Sequence, residues 1–189
     1  MEKINIIILA LASVLLQNTI LAQDKPVVRK GLIRAQLTIS PATMLDNSDS
    51  PFYFHGTLEG YLNKKTSLVG ESYFHLGNIS GEAGQFDFNH STFFGGSYHI
   101  PQEKSSIYIG VQPGVSFARI RTREGEEQGS IGISPLFSTV VGYNFFVHRF
   151  FHFFVQSRLV MGQHLYNEAV SLNEIRVSAG LGINLNTFK

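Results

Sequence analysis

The sequence predicts an all-β chain: eight amphipathic strands in an up-and-down antiparallel barrel. Three observations carry this. Apolar and polar or side-chain-free residues alternate in eight separate stretches, and period two is the signature of a strand with two unlike faces. No stretch beyond the N-terminus shows a helical period. The links between stretches are long and short in turn, as they are when every second turn lies at the same end of a barrel.

The composition bounds the rest. The chain has 189 residues, enough for one domain. Lys and Arg number 15 against 14 Asp and Glu, a formal net charge of +1, so nothing points to nucleic acid. There is no Cys, so an exported chain of this kind is held by its ladders and packing, without disulfides. Phe is abundant at 16, with 7 Tyr and 18 Gly, an unusual mixture for a domain surrounded by water. The first 23 residues read MEKINIIILALASVLLQNTILAQ. A basic residue, an apolar run and a small residue before the cut describe a secretory signal peptide over 1–22, leaving 23–189 as the barrel domain.

The strands follow in order. GLIRAQLTIS, from Gly31, ends near Pro41. Phe52 to Leu62 follows the DNSDSP link, and NKKT leads into Ser67 to Gly77. The long link NISGEAGQFDFN precedes His90 to Ile100, and PQEKS leads into Ser106 to Ile120. RTREGEEQGS separates that strand from Ile131 to Val147, and HRF is a tight link to Phe151 through Tyr166. NEAVSLNE precedes the closing strand, Ile175 to Asn186. Pro113 and Pro135 fall within strands, where a proline forfeits a ladder hydrogen bond, so a bulge or kink is expected at each.

An export signal, eight amphipathic strands, alternating link lengths and a final strand ending near Phe188 resemble the small outer-membrane β-barrel proteins, of the general type of the OmpX and OmpA barrel domains. Lys189 follows the Phe with which that family's last strand often ends, a small departure. The ILA-Gln cut site is similar to exported proteins of Bacteroidetes-type bacteria. The resemblance implies a monomer in the cell outer membrane with both termini periplasmic. Its implied partners are outer-membrane lipid, lipopolysaccharide and, during biogenesis, the barrel assembly machinery.

Which face is outside is argued from the polar one. It is crowded with small residues: Gly110, Gly114 and Ser116, then Gly132, Ser134, Ser138 and Gly142, then Ser178, Gly180 and Gly182. Small side chains suit a narrow interior where eight strands converge. The opposite face carries Ile107, Ile109, Val111, Ile133, Phe137, Val141, Val155 and Met161, which suits lipid. Tyr61, Tyr98, Tyr108, Tyr143, Phe145, Phe151, Phe153 and Phe188 lie near short-turn ends and are expected to form an interfacial girdle.

Parity sends Arg34, Gln36, Glu59, Glu71, Gln112, Gln156, Arg158 and Arg176 inward. Buried charges must be paired and hydrogen-bonded, so these residues are expected to form a network that plugs the lumen. A polar conduit or proton path is the alternative. Arg119, Arg121 and Arg123 occupy alternate positions as strand five nears its loop, and are expected to face outward, in reach of lipopolysaccharide phosphates or simply snorkelling. Phe86 and Phe88 are expected as loop contacts. The seven histidines are dispersed, with no helical HxxxH and no visible carboxylate cluster, so no metal site is expected. No cofactor and no catalytic residue is assigned, since the His-x-Ser-Asn pattern of outer-membrane deacylases is absent. The expected role is a non-enzymatic scaffold or surface-interaction protein. Narrow porin-like transport of small or apolar solutes and a lipid A-modifying enzyme remain as other classes.

Overall fold

The computed structural model describes residues 28–79, 84–121, 131–165 and 170–186. Eight strands close into one barrel in chain order, each antiparallel to its neighbours: β1 Leu32–Met44, β2 Pro51–Tyr61, β3 Thr66–Asn78, β4 Phe86–Pro101, β5 Ser105–Ile120, β6 Gly132–His148, β7 Phe151–Gly162 and β8 Glu174–Asn186. β8 closes on β1 with Leu32 opposite Asn186, so the first strand starts and the last ends at the short-turn end. The expected signal peptide and Phe188 lie outside the described residues.

Period two runs through every strand. On β6 each even position from Gly132 to Phe146 is buried, and the odd positions are exposed or, at Thr139 and Val147, partly so. The outer wall is the apolar one: Leu37, Leu58, Phe94, Ile109, Val141, Phe153 and Leu181 are all between 50 and 62 % exposed. Arg34, Glu59, Glu71, Arg158, Glu174 and Arg176 are 0–3 % exposed. A soluble barrel has the reverse arrangement.

Most boundaries move by a residue from the sequence reading, and four of the shifts bear on the site. β1 continues through Pro41 to Met44, because a proline is tolerated wherever its missing N–H has no ladder partner to lose. β4 starts at Phe86, four residues early, with a bulge between Phe86 and Phe88. Both phenylalanines therefore belong to a strand and not to a loop, and Phe86 is buried. β7 stops at Gly162, and Gln163 makes only an isolated bridge to Ser171. β8 begins at Glu174.

The prolines produce gaps rather than the expected bulges. Between β5 and β6 the register is continuous from Ser105↔Phe145 to Ala118↔Gly132, straight past Pro113 and Pro135. Successive residues of a strand point their N–H to opposite neighbours. Odd residues of β5 face β4, as Arg121 N–H does in bonding the Gln85 carbonyl. Accordingly the β4–β5 pairing lapses opposite Pro113, between Phe93↔Gly114 and Gly96↔Val111, with its register unchanged. Pro135 points toward β7, and the β6–β7 ladder ends one residue before it, at Leu136↔Gly162. Pro41 points toward β8, where pairing lapses between Gln36↔Gly182 and Ala42↔Arg176. There Ser40 Oγ donates to the Val177 carbonyl at 2.9 Å and Thr38 Oγ1 to that of Ala179 at 2.6 Å, so hydroxyls replace ladder bonds.

Candidate functional site: the filled lumen and the loop-end rim

The inward side chains form three hydrogen-bonded clusters along the barrel axis. Nearest the short turns, Arg34 lies directly opposite Glu59 on β2 and pairs with it, Nε at 2.8 Å from Oε2. The other Glu59 oxygen accepts from Ser67 Oγ and from His99 Nε2 at 2.8 Å, and Tyr61 OH meets His99 Nδ1 at 3.2 Å. The Arg34 guanidinium sits 5.3 Å from the Tyr61 ring centroid. The six-residue spacing from Tyr61 back through Glu59, Thr57 and His55 is one face of β2, which is why a single strand supplies so much of the lining.

Glu71 is the centre of the middle cluster. Its Oε1 receives the Arg158 guanidinium and Gln112 Nε2 at 3.0 Å. Its Oε2 receives His55 Nε2 at 2.9 Å, Gln156 Nε2 at 3.0 Å and Tyr73 OH at 3.3 Å. Arg158 also bonds Tyr73 OH, Ser138 Oγ and Gln112 Oε1, so all three of its nitrogens are used. His55 stacks on Tyr73 at 4.1 Å with planes 7° apart. Gln156 passes the cluster on to Tyr108 OH at 2.7 Å.

The upper cluster pairs Arg176 with Glu174 on the same strand, Nη2 to Oε1 at 2.5 Å. Tyr53 OH donates to the other Glu174 oxygen at 2.8 Å, and Arg176 Nη1 donates to Ser91 Oγ at 2.8 Å. Arg158 and Arg176 stand directly opposite each other on β7 and β8. Their like charges are separated by aromatic rings: Arg176 lies 4.3 Å from both Tyr53 and Tyr73, and Arg158 lies 4.6 Å from Phe93. Each guanidinium then turns to its own carboxylate, and three buried Arg meet three buried Glu.

Apolar layers close the lumen beyond these clusters. Val28, Leu32, Tyr61 and Phe146 seal the short-turn end. Ala42, Met44, Phe86, Ala118, Leu136, Val160, Val170 and Leu172 pack at the loop end, continuous with Tyr53, Tyr73 and Phe93. Among the described residues no hydrogen bond joins one charged cluster to the next. The glycines on the inner face make room for neighbours: a Cβ at Gly142 would collide with the Tyr108 ring, and one at Gly182 with His152.

All seven network residues named from sequence, with Gln36 beside them, face inward. Gln36 bonds not a charged group but His152, at 2.8 Å. Sequence reasoning missed Glu174, because the closing strand was started one residue late; parity from Arg176 already pointed to it. It also missed Tyr53, Tyr73, His55 and His99, which share their faces with Glu59, Glu71 and Ser97. Two girdle residues are corrected by the same rule. Tyr61 and Tyr108 are 3 and 6 % exposed and line the lumen, whereas Tyr98, Tyr143, Phe145, Phe151 and Phe153 are exposed on the wall.

At the loop-end rim Arg119 and Arg121 both approach one carboxylate, Asp87, at 3.1 and 3.6 Å. Arg119 lies 5.1 Å from the Phe88 ring, and Arg121 Nε donates to the Gly84 carbonyl at 3.1 Å. Phe88 in turn stacks on His90 at 5.1 Å. The bulge at Asp87 turns this carboxylate to the two guanidiniums. Arg123 lies outside the described residues. Among the described residues no group of three or more His, Cys, Asp or Glu is placed to hold a metal ion.

No protein-family model matches the chain, and no curated protein matches its sequence. Solved structures do match its shape. Neisserial surface protein A is 15 % identical with a TM-score of 0.62, over 82 % of this chain and 96 % of that one. The N-terminal β-barrel domain of Pseudomonas aeruginosa OprF is 10 % identical with a TM-score of 0.55, over 82 and 98 %. Ail, the attachment invasion locus protein of Yersinia pestis, is 16 % identical with a TM-score of 0.54, over 82 and 99 %. At such identities only architecture is shared, and the architecture is that of the small eight-stranded outer-membrane β-barrels.

Proposed function

We propose that this chain is an integral outer-membrane β-barrel with a sealed lumen, acting as a non-enzymatic scaffold whose loop end meets the cell surroundings. The observation that carries the reading is the inversion of the wall: paired Arg and Glu inside, exposed Leu, Ile, Val and Phe outside. An apolar surface of that extent has no stable place in water, and a bilayer supplies the solvent it requires. The short-turn end, with both strand termini, then faces the periplasm.

The interior supports a plug rather than a pore. Three clusters, each pairing a buried Arg with a buried Glu and none hydrogen-bonded to the next among the described residues, favour a filled lumen. The apolar layers add a barrier at each end. Fixed ion pairs in such a lumen stiffen the barrel and leave recognition to the rim and loops, which carry function on rigid scaffolds. At the rim, Arg119 and Arg121 gather beside Asp87, and guanidiniums are the groups that pair with lipopolysaccharide phosphates.

Single-channel recording in a planar bilayer tests the reading directly. Purified protein should insert and show no discrete conductance steps. Steps of defined size in the unmodified protein would replace the plug with a pore. The same preparation should carry lipopolysaccharide in an amount that falls with Arg119→Ala and Arg121→Ala combined. An unchanged amount would remove the rim from the proposal.

A further inference from the structure

The ladder between β3 and β4 is regular from Thr66↔Tyr98 to Tyr73↔Ser91 and then stops. Both strands extend past that point, β3 to Asn78 and β4 from Phe86. At unchanged register His75 would face Asn89. Instead the His75 backbone N–H donates to a side chain, Nδ1 of His90, at 3.0 Å. His90 belongs to the outer face, next to Phe74 at 5.6 Å and stacked on Phe88. Its ring therefore reaches into the cleft between two strands and takes the place of a ladder carbonyl. Behind the cleft is a small pocket lined by Tyr53, His75, Asn78, Phe86 and Asn89.

We propose that His90 is an acid-sensitive clasp holding β3 against β4 at the loop end, over this pocket. The chemistry is that of one nitrogen. A neutral imidazole whose Nε2 carries the hydrogen offers Nδ1 as an acceptor. Protonated, both nitrogens carry hydrogen and Nδ1 can accept nothing, so the His75 N–H loses its partner. A ladder carbonyl in the same place would be indifferent to pH.

The surroundings favour release once the proton is bound. The charged and titratable groups facing the pair are Asp87 on β4, Arg119 and Arg121 at the end of β5, Asp49 before β2, and Glu174 of the upper cluster, besides His75 itself. Asp87 is held by both arginines. Glu174 is held by Arg176 and Tyr53, and Asp49 accepts from the Gln85 N–H at 2.7 Å. Each nearby carboxylate thus has its own partner, and the Arg121 guanidinium opposes a further positive charge at the pair. Acidification therefore frees the His75 N–H and loosens the β3–β4 seam over the pocket, where the His75 ring keeps its bond to the Asp87 backbone, while the ladder below Tyr73 is untouched.

Amide hydrogen exchange by NMR in detergent micelles tests this, with rates corrected for the intrinsic effect of pH. Between about pH 7.5 and about pH 4, a window that extends below the ordinary imidazole range, the His75 amide should lose protection about tenfold or more. The Leu68 amide, deep in the same strand, should not change. His90→Asn keeps an oxygen acceptor near the Nδ1 position and cannot titrate, so its His75 amide should be protected at both pH values. His90→Phe keeps the stacking and has no acceptor, so its His75 amide should be unprotected at both. Equal protection of the wild-type amide at both pH values would overturn the proposal, as would pH-dependent protection in His90→Asn.

Discussion

The two faces of a single strand obey opposite rules in this molecule. On β7, Gln156 and Arg158 are buried in hydrogen bonds, while Val155 between strand neighbours is 46 % exposed. Inside, each buried Glu is met by a guanidinium. Outside, an apolar residue survives only if its surroundings are apolar too. The comparison teaches that burial here measures enclosure by the barrel and not hydrophobicity. It also says where substitutions should hurt most.

The inner face should give the largest effect. Arg158→Ala leaves the Glu71 carboxylate buried without its guanidinium, and breaking a buried pair by removing one partner costs about 3–5 kcal/mol. Urea unfolding in micelles should show it. Adding Glu71→Gln removes the stranded charge, so the double variant should recover a good part of the loss. A double variant as unstable as the single one would mean that packing, and not charge, sets the value of the pair.

The outer face should give the next largest effect, and it tests the solvent. Val141, at mid-height on β6, is 53 % exposed. In a bilayer, Val141→Arg should cost about 2–4 kcal/mol. On a water-facing wall the same change would stay within about 0.5 kcal/mol. Folding titrations in lipid vesicles separate the two, and a small value would end the membrane reading whatever the fold.

Most of this geometry was legible in the sequence because parity is a local property. Strand number, strand order and the inward direction of Arg34, Glu59, Glu71, Gln112, Gln156, Arg158 and Arg176 all follow from counting by twos. Pairing was not legible, because it depends on how far each strand is staggered against the next. Arg34 finds Glu59 on an adjacent strand, Arg158 finds Glu71 across the barrel, and Arg176 finds Glu174 two residues away on its own strand. Nothing in a single strand distinguishes these cases. Strand ends were also obscure, since Pro41 looked like a stop and Phe86 like part of a loop. Both are strand residues, one because its N–H position faces a lapse in the ladder, the other because a bulge carries the strand onward.

The smallest effect belongs to the seam between the faces, where the wall closes. In the register of β1 on β8, the carbonyl of Val177 faces Pro41, which has no N–H to offer, and Ser40 Oγ bonds it instead. Ser40→Ala should therefore cost about 1 kcal/mol, the net worth of a hydrogen bond in a closed site. Pro41→Ala restores the missing donor. In that background Ser40→Ala should cost close to nothing, because the backbone now satisfies Val177. A double-mutant cycle read by unfolding in micelles isolates this coupling from the separate effects of each change. An identical cost for Ser40→Ala in both backgrounds would show that the hydroxyl acts through its other contact, the bond from Ser178 Oγ at 2.9 Å. The seam would then be held from the lumen side, and the proline would be incidental to how the barrel closes.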